Sequence, residues 1–526
     1  MTIHSVLIAG SWRAANVAQT FRAENPRTKE PLPDEYPVSG WADCDEALSA
    51  AVAAADVLRA TPPERIARFL ELFAERMEAR KTELVEMAHA ETALPKAPRL
   101  ADVELPRTTS QLRQAAAAAR DGSWAMPTID TKNGIRACLA AIGPVIVFGP
   151  NNFPFAFNSA SGGDFAAAIA AGNPVIAKAN SSHPGTTRLL AVEAEASARE
   201  AGLHPATVQL LYRTSHADGE RLVSDPRTGA TGYTGSRSAG LQLKAAADRA
   251  GKPIYLELSS VNPVVILPGA IAERADDLAQ QFTSSCLMGT GQFCTNPGLV
   301  VLLKSAATDA FVAKVAEQFK TAPVGTLLSK AVEASLTRSV ATLSAAGAKP
   351  LTGNAPGGGT GYSFANTLLS VSGSQFLANA EGLQTEAFGN ESLFVIADDL
   401  PQACAVVDHF EGNLTGCIYS DTKGSDDAAY DQIAPRLRAK VGRLLNDKMP
   451  TGVAVSLAMN HGGPYPATGH PGFTAVGIPA SLRRFAALHC YDNVRPHRLP
   501  PLLQNKNPTG QTWRLIDGAW TQADIG

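Results

Sequence analysis

Cysteine is scarce: 7 in 526 residues, at Cys44, Cys138, Cys286, Cys294, Cys404, Cys417 and Cys490. Their odd number and wide dispersion, with no CxxC and no Cys/His cluster of zinc-ligand spacing, argue against a disulfide framework or a zinc ribbon. Most read as small buried hydrophobes. The 10 histidines form no HExxH, so no metal is expected. Long apolar runs are missing too, and none reaches the roughly 18 to 20 residues that span a bilayer. Before Arg13 the apolar run is Val6-Leu7-Ile8-Ala9, too short for a signal-peptide core, so cytoplasmic residence and no membrane partner are expected. Excess charge is absent as well: 46 Lys+Arg against 49 Asp+Glu, net −3. With no basic stripe, nothing points to nucleic acid as a partner. A GxGxxG fingerprint is also lacking, because Gly289-Thr290-Gly291 runs into Gln292-Phe293-Cys294.

What remains is an ordinary globular composition, 45% hydrophobic and 18% charged. The length suits two or three domains. Residues 43–120 read as helices. The first spans Asp43 to Ala60 with Asp43 as its cap. Pro63 to Arg80 carries Ile66, Leu70, Phe73 and Met77 on one helical face, which reads as packing. From about residue 136, strands and helices alternate. Strands are expected within 141–149 and at 174–178, 208–212, 229–233 and 253–258. Helices are expected at 165–171, 186–201 and 236–250. Repeated βαβ units predict a parallel sheet with helices on both faces, an α/β fold. A second α/β region begins with strands near 264–267 and 299–303 around a helix at about 272–287. Thr352 to Gly361 is a loop by composition. The Pro- and Asn-rich stretch from Pro496 to Gly526 reads as an extended arm.

Two segments carry chemistry. Gly291-Gln292-Phe293-Cys294-Thr295-Asn296-Pro297-Gly298 puts a cysteine in a polar, glycine-flanked turn, 37 residues after Glu257. A thiol reacts as thiolate and needs a base, and Glu257 closes an apolar run where a carboxylate can serve. On spacing alone, Cys294 is either a nucleophile or a buried structural thiol. Thr234-Gly235-Ser236-Arg237-Ser238-Ala239-Gly240, between a strand and a helix, is either a pyrophosphate-binding turn or an ordinary glycine turn. Cys286 lies in an apolar helix and reads as buried.

Both motifs resemble those of the aldehyde dehydrogenase superfamily, and further segments follow in the same order. Gly149-Pro150-Asn151-Asn152-Phe153-Pro154 resembles the segment whose Asn meets the oxyanion. Val175-Ile176-Ala177-Lys178 resembles the strand whose Lys contacts the adenosine ribose. Glu386-Ala387-Phe388-Gly389 resembles the Glu-x-Phe that holds the nicotinamide half. The resemblance implies a Rossmann-like dinucleotide domain (1–127 and 143–257), an α/β catalytic domain (258–475) and a small β oligomerisation arm with the C-terminal tail (128–142 and 476–526). It implies a homodimer or homotetramer. Cys294 is then the nucleophile, Glu257 the base acting directly or through water, and Asn152 an oxyanion donor with the Cys294 backbone N–H. Hydride leaves to the cofactor, and Glu257 activates water to release a carboxylate.

A narrower resemblance, to the α-ketoglutarate semialdehyde dehydrogenase group, rests on residues 291–298, Ser259-Ser260-Val261-Asn262-Pro263, His461-Gly462-Gly463-Pro464-Tyr465-Pro466-Ala467-Thr468 and residues 107–113. Medium- or long-chain fatty aldehydes are the alternative substrate. Many NAD-preferring relatives carry Glu where this chain has Ser181. With Lys178 and Arg213 near the same region, NADP is the expected cofactor and NAD the alternative. Gly235, Ser236, Gly240, Glu386 and Phe388 complete the implied cofactor set. Phe153, Phe157 and Phe293 are expected to line the substrate pocket. Arg107 and Arg113 are candidates to anchor a distal carboxylate. His461 and its Gly-Gly-Pro turn read either as a loop closing the site or as a rigid turn.

Overall fold

The computed structural model describes residues 2–526, arranged around three large sheets. The first is assembled from short β-branched runs. Val145–Phe148, Val175–Lys178, Val208–Leu211, Ala230–Thr234 and Ile254–Glu257 lie parallel. Nearly all their residues are buried, as in strands covered on both faces. Across the sheet the order is 254–257, 230–234, 145–148, 175–178, 208–211. The chain therefore starts in the middle, steps outward to 208–211, and returns on the far side of 145–148. At such a reversal the connections after neighbouring strands diverge, and a crevice opens at the carboxyl ends.

Two strands without a sequence signal, Val6–Ile8 and Ser11–Arg13, continue this sheet antiparallel. Three residues are too few to display a period of two. The helical reading of 43–120 holds in outline, with one correction at its start. The helix Trp41–Leu58 is capped at Gly40, and Asp43 sits one turn in, where its carboxylate accepts from the Gly40 N–H at 3.2 Å. The helix Pro63–Ala79 buries Ile66, Leu70, Phe73 and Met77, and Phe69 and Phe73 pack edge-on against Phe165. Residues Lys96–Glu104 coil as a π-helix, a segment with no helical period to read.

In the second sheet, Val264–Ile266, Leu299–Leu303, Thr367–Ser372, Glu391–Ala397, Asn413–Tyr419 and Val441–Asn446 are parallel. Lys349–Thr352 pairs antiparallel at one edge, and the glycine-rich stretch behind it is loop. The third sheet joins Thr128–Asp130 and Ile135–Ala141 to Ala486–Asp492, Arg514–Ile516 and Ala519–Thr521. The tail is thus folded rather than an extended arm. Leu503 and Arg514 are fully buried. Arg514 donates to the carbonyls of Gln504, Asn505 and Ala523, and Asn507 to those of Thr512 and Gln522. Side chains here replace the missing ladder bonds, so a polar composition conceals an ordered segment.

Ahead of the tail, a buried ion pair ties Arg484 to the helix Gly163–Ala170. Arg484 Nη2 lies 2.7 Å from Asp164 Oδ1, and the guanidinium stacks 4.8 Å from Phe485 and 4.9 Å from Phe473. Removing one partner strands a charge in a low-dielectric site. Arg484→Ala is expected to destabilise the protein by about 3–5 kcal/mol and to lower the midpoint of thermal inactivation clearly. An unchanged midpoint would show that the pair contributes nothing.

Candidate active site

Three side chains from distant parts of the chain meet at one nitrogen. His461 Nε2 lies 3.0 Å from Glu257 Oε1 and 3.4 Å from Cys294 Sγ. Glu257 ends its strand at the carboxyl edge of the first sheet. Cys294 sits in the turn before strand Leu299–Leu303. His461 comes from a loop laid along the Glu257 strand: Gly469 N donates to Leu256 O at 3.0 Å and Leu258 N to Ala467 O at 2.8 Å. Both readings of this segment hold together: it is rigidly held, and it brings His461 to the site. His461 N donates to Thr474 Oγ1 at 2.9 Å. A Cβ on Gly462 would lie 2.0 Å from Phe473 O, so the residue after the histidine has no room for a side chain.

The cysteine turn is held as firmly. Gly291 has φ +66°, and a Cβ there would lie 1.9 Å from Gly389 O. Asn262 Nδ2 donates to Cys294 O and Asn296 O, both at 2.9 Å. Glu257 and His461 are buried, and Glu257 Oε2 has no partner. Burial first, then the Glu257 carboxylate, hold the Cys294 thiol well above its ordinary pKa, with Arg107 opposing. Cys286 is fully buried, as expected.

Asn152 lies beside this cluster. Its Nδ2 donates to Gln292 O at 3.0 Å, which leaves the second N–H of the amide for another acceptor. Two residues without a sequence signal fix its loop. Glu104 Oε1 accepts from Phe155 N at 2.8 Å and Ala156 N at 3.0 Å, and Arg99, ion-paired with Glu104, donates from Nη2 to Asn152 O at 3.0 Å. The Arg99 guanidinium also lies 4.4 Å from the Phe153 ring and 5.2 Å from Phe293. Both residues belong to the π-helical segment, whose pattern carries no sign of the site.

The three expected pocket aromatics do converge. Phe153 stands edge-on to Phe157 at 5.0 Å and to Phe293 at 5.5 Å, and Phe157 is 5.6 Å from the His461 ring. Arg107 extends over Phe157, 5.0 Å from its centroid. It donates from Nε to Gln111 at 3.2 Å, its buried Nη2 has no partner, and among the described residues it forms no ion pair. Arg113 is a correction: it lies on the outer surface, with Nη1 and Nη2 bound to the Glu78 carboxylate at 2.6 and 2.7 Å. The helix they share turns about 100° per residue, so positions six apart leave on different sides.

A cleft of about 770 Å³ leads from Cys294, Glu257 and Asn152 past Gly235, Ser236 and Glu386. It lies at the crevice of the first sheet. Ser236 caps the helix Arg237–Arg249, whose free N–H groups suit a pyrophosphate. Gly240 has no space for a side chain, since a Cβ would meet Leu258 at 2.5 Å. Glu386 accepts from Ser260 N at 3.2 Å, and burial pushes its carboxyl up to about 7. Phe388 lines the cleft beside it. At the end of strand Val175–Lys178, burial and then Arg213 push Lys178 down to about 8. Arg213 Nε donates to Ser181 Oγ at 3.3 Å, while its guanidinium lies 4.2 Å over Phe21. A long cleft with a helix N-terminus midway and a nucleophile at its end fits a nicotinamide dinucleotide.

Comparison with known proteins agrees. Residues 12–463 match the model of the aldehyde dehydrogenase family. The chain belongs to that family. It is 37% identical to alpha-ketoglutaric semialdehyde dehydrogenase 2 of Azospirillum brasilense over 98% of this chain and 99% of that protein. Identity to the alpha-ketoglutaric semialdehyde dehydrogenase of Acinetobacter baylyi is 35%, over 98% of each. Among solved structures, the lactaldehyde dehydrogenase of Escherichia coli superposes with TM-score 0.78 at 22% identity, over 93% of this chain and 98% of that one. A 3,6-anhydro-L-galactose dehydrogenase in complex with NAP gives 0.80 at 20% identity, over 93% and 99%. Among the described residues, no helix is long and apolar enough to cross a membrane.

As an aldehyde dehydrogenase, this chain oxidises an aldehyde with NAD or NADP. When bound, the nicotinamide supplies the hydride acceptor. The residues around it handle the proton and the charge. His461 Nε2, within reach of both Cys294 Sγ and Glu257 Oε1, is placed to pass a proton between thiol and carboxylate. Glu257 and His461 are buried, while Cys294 faces the cleft. A thiolate at Cys294 could attack an aldehyde carbon brought to it through the cleft, and the second Asn152 N–H is left to donate to an oxygen gaining charge. The same Glu257–His461 pair can take a proton from water when the acyl group is released. His461→Asn is expected to lower kcat about 10²- to 10⁴-fold with the KM for cofactor nearly unchanged. An unaltered kcat would make His461 a spectator.

Proposed function

We propose that the enzyme oxidises α-ketoglutarate semialdehyde to α-ketoglutarate, with NADP preferred. The substrate part rests on Arg107. A short keto-acid aldehyde carries a carboxylate that must be met by a cation, and Arg107 is a largely buried guanidinium with an unpartnered Nη2 beside the aromatic wall of the nucleophile. The names of the two full-length relatives support the same substrate class. Fatty aldehydes would leave that charge uncompensated.

The cofactor part rests on Ser181. A hydroxyl in that position, bonded to Arg213 and near Lys178, offers hydrogen bonds and positive charge to a 2′-phosphate, where a carboxylate would repel it. In the same reading residues 1–127 and 143–257 bind the dinucleotide, and 258–475 carry the nucleophile. The edge strand Ala486–Asp492, with Leu488 71% exposed, offers itself to a second subunit of a dimer or tetramer.

Initial rates on α-ketoglutarate semialdehyde, succinic semialdehyde, hexanal and decanal test the substrate. The keto-acid aldehyde should give the highest kcat/KM, and Arg107→Gln should raise its KM at least about tenfold while sparing hexanal. A preference for decanal would reject the reading. For the cofactor, Lys178 loses its charge as pH rises through about 8. The kcat/KM for NADP should therefore fall above that pH more steeply than that for NAD, and Ser181→Glu should favour NAD. Identical profiles and an unshifted preference would remove these residues from 2′-phosphate recognition.

A further inference from the structure

The cluster that activates the nucleophile also has the composition of a metal site. One ligand atom each from Glu257, Cys294 and His461 can be chosen so that all three lie within 4.8 Å of one another. We propose that the resting enzyme binds a soft divalent cation, zinc above all, through Cys294 Sγ, His461 Nε2 and a Glu257 oxygen, and that this ion blocks the nucleophile reversibly.

Three observations carry the assignment. The first is distance. A tetrahedral zinc with Zn–S of about 2.3 Å and Zn–N or Zn–O of about 2.1 Å sets its ligands about 3.6 Å apart for S and N and about 3.4 Å for N and O. The two separations at His461, 3.4 and 3.0 Å, are within a few tenths of an ångström of those values, while the Glu257 oxygen and Cys294 Sγ, within 4.8 Å of each other, close by up to about 1 Å to share the ion. The second is an unused acceptor. Glu257 Oε2 is buried with no partner, an unmet cost that a cation would relieve. The third is access: Cys294 and Glu257 line the cleft, which leaves a fourth position open to water. Thiolate and carboxylate together neutralise the dication, and Arg107 is the nearby cation that opposes it.

The chemistry is a proton-for-metal exchange. The S–H bond breaks, an S–Zn bond forms, and the proton leaves to solvent with no change of oxidation state. Thiolate and imidazole donors favour zinc or cobalt over magnesium and calcium, which want oxygen ligands.

Cobalt(II) reads the site without substrate, so the result is independent of which aldehyde the enzyme prefers. The titration is best done in Cys490→Ser protein, because Cys490 is exposed beside His489 and offers a competing thiol. One equivalent should produce near-ultraviolet thiolate-to-cobalt absorption and the visible bands of tetrahedral cobalt, both displaced by zinc. Cys294→Ala should abolish the absorption, and His461→Asn should weaken binding more than about 10-fold, with NADP binding confirming that both variants fold. Zinc, but not magnesium, should inhibit turnover, and a chelator should restore it. Absence of the charge-transfer band, or its persistence in Cys294→Ala or unweakened in His461→Asn, would overturn the proposal.

Discussion

The contact of His461 Nε2 with both Glu257 and Cys294 is the constraint around which the catalytic centre is organised. It forces three segments with no sequence proximity into one position, and each is pinned by its own backbone bonds. The Glu257 strand is registered against its parallel neighbour. The cysteine turn is clamped by Asn262, and the His461 loop by Thr474 and Gly462. Rigidity on all three sides lets a buried carboxylate and a half-buried thiol share one imidazole. It also explains why the thiol is raised rather than activated at rest: burial and a neighbouring anion both disfavour thiolate.

The rest of the fold opens a cleft on one side of that contact and sets an aromatic wall on the other. The reversal of strand order at 145–148 opens the cleft, and the helix starting at Arg237 presents its N-terminus to it. On the other side, Phe153, Phe157 and Phe293 form an apolar wall stiffened by Arg99, which joins the oxyanion loop to the nucleophile turn by one hydrogen bond and two ring contacts. Arg107 stands at the same wall, with no ion pair among the described residues. The two arginines differ in partner, not in type: one is paired with Glu104, while the other keeps an unpartnered Nη2.

Much of this was legible in the sequence because it is local. Cys294 and Gly291 share one turn, Asn152 follows a strand, and the parallel strands are β-branched runs long enough to read. What escaped depends on contacts between distant segments. Arg99 and Glu104 lie in a π-helix with no apolar period, and their partners in the Asn152 loop are 51 to 53 residues away. The N-terminal strands are three residues long. Arg107 and Arg113 look alike in a list of helical arginines, and only the Glu78 surface pair separates them. His461 could be read two ways because a Gly-Gly-Pro turn serves a lid and a rigid bend equally.

The most direct test of the account is an ultraviolet titration of the Cys294 thiolate, taken as the difference in absorbance between the enzyme and Cys294→Ala across pH. The thiolate signal should be absent at neutral pH and appear only in the alkaline range, and Glu257→Gln should move it to lower pH by removing the neighbouring anion. A full thiolate signal already present at neutral pH, unchanged by Glu257→Gln, would contradict the account.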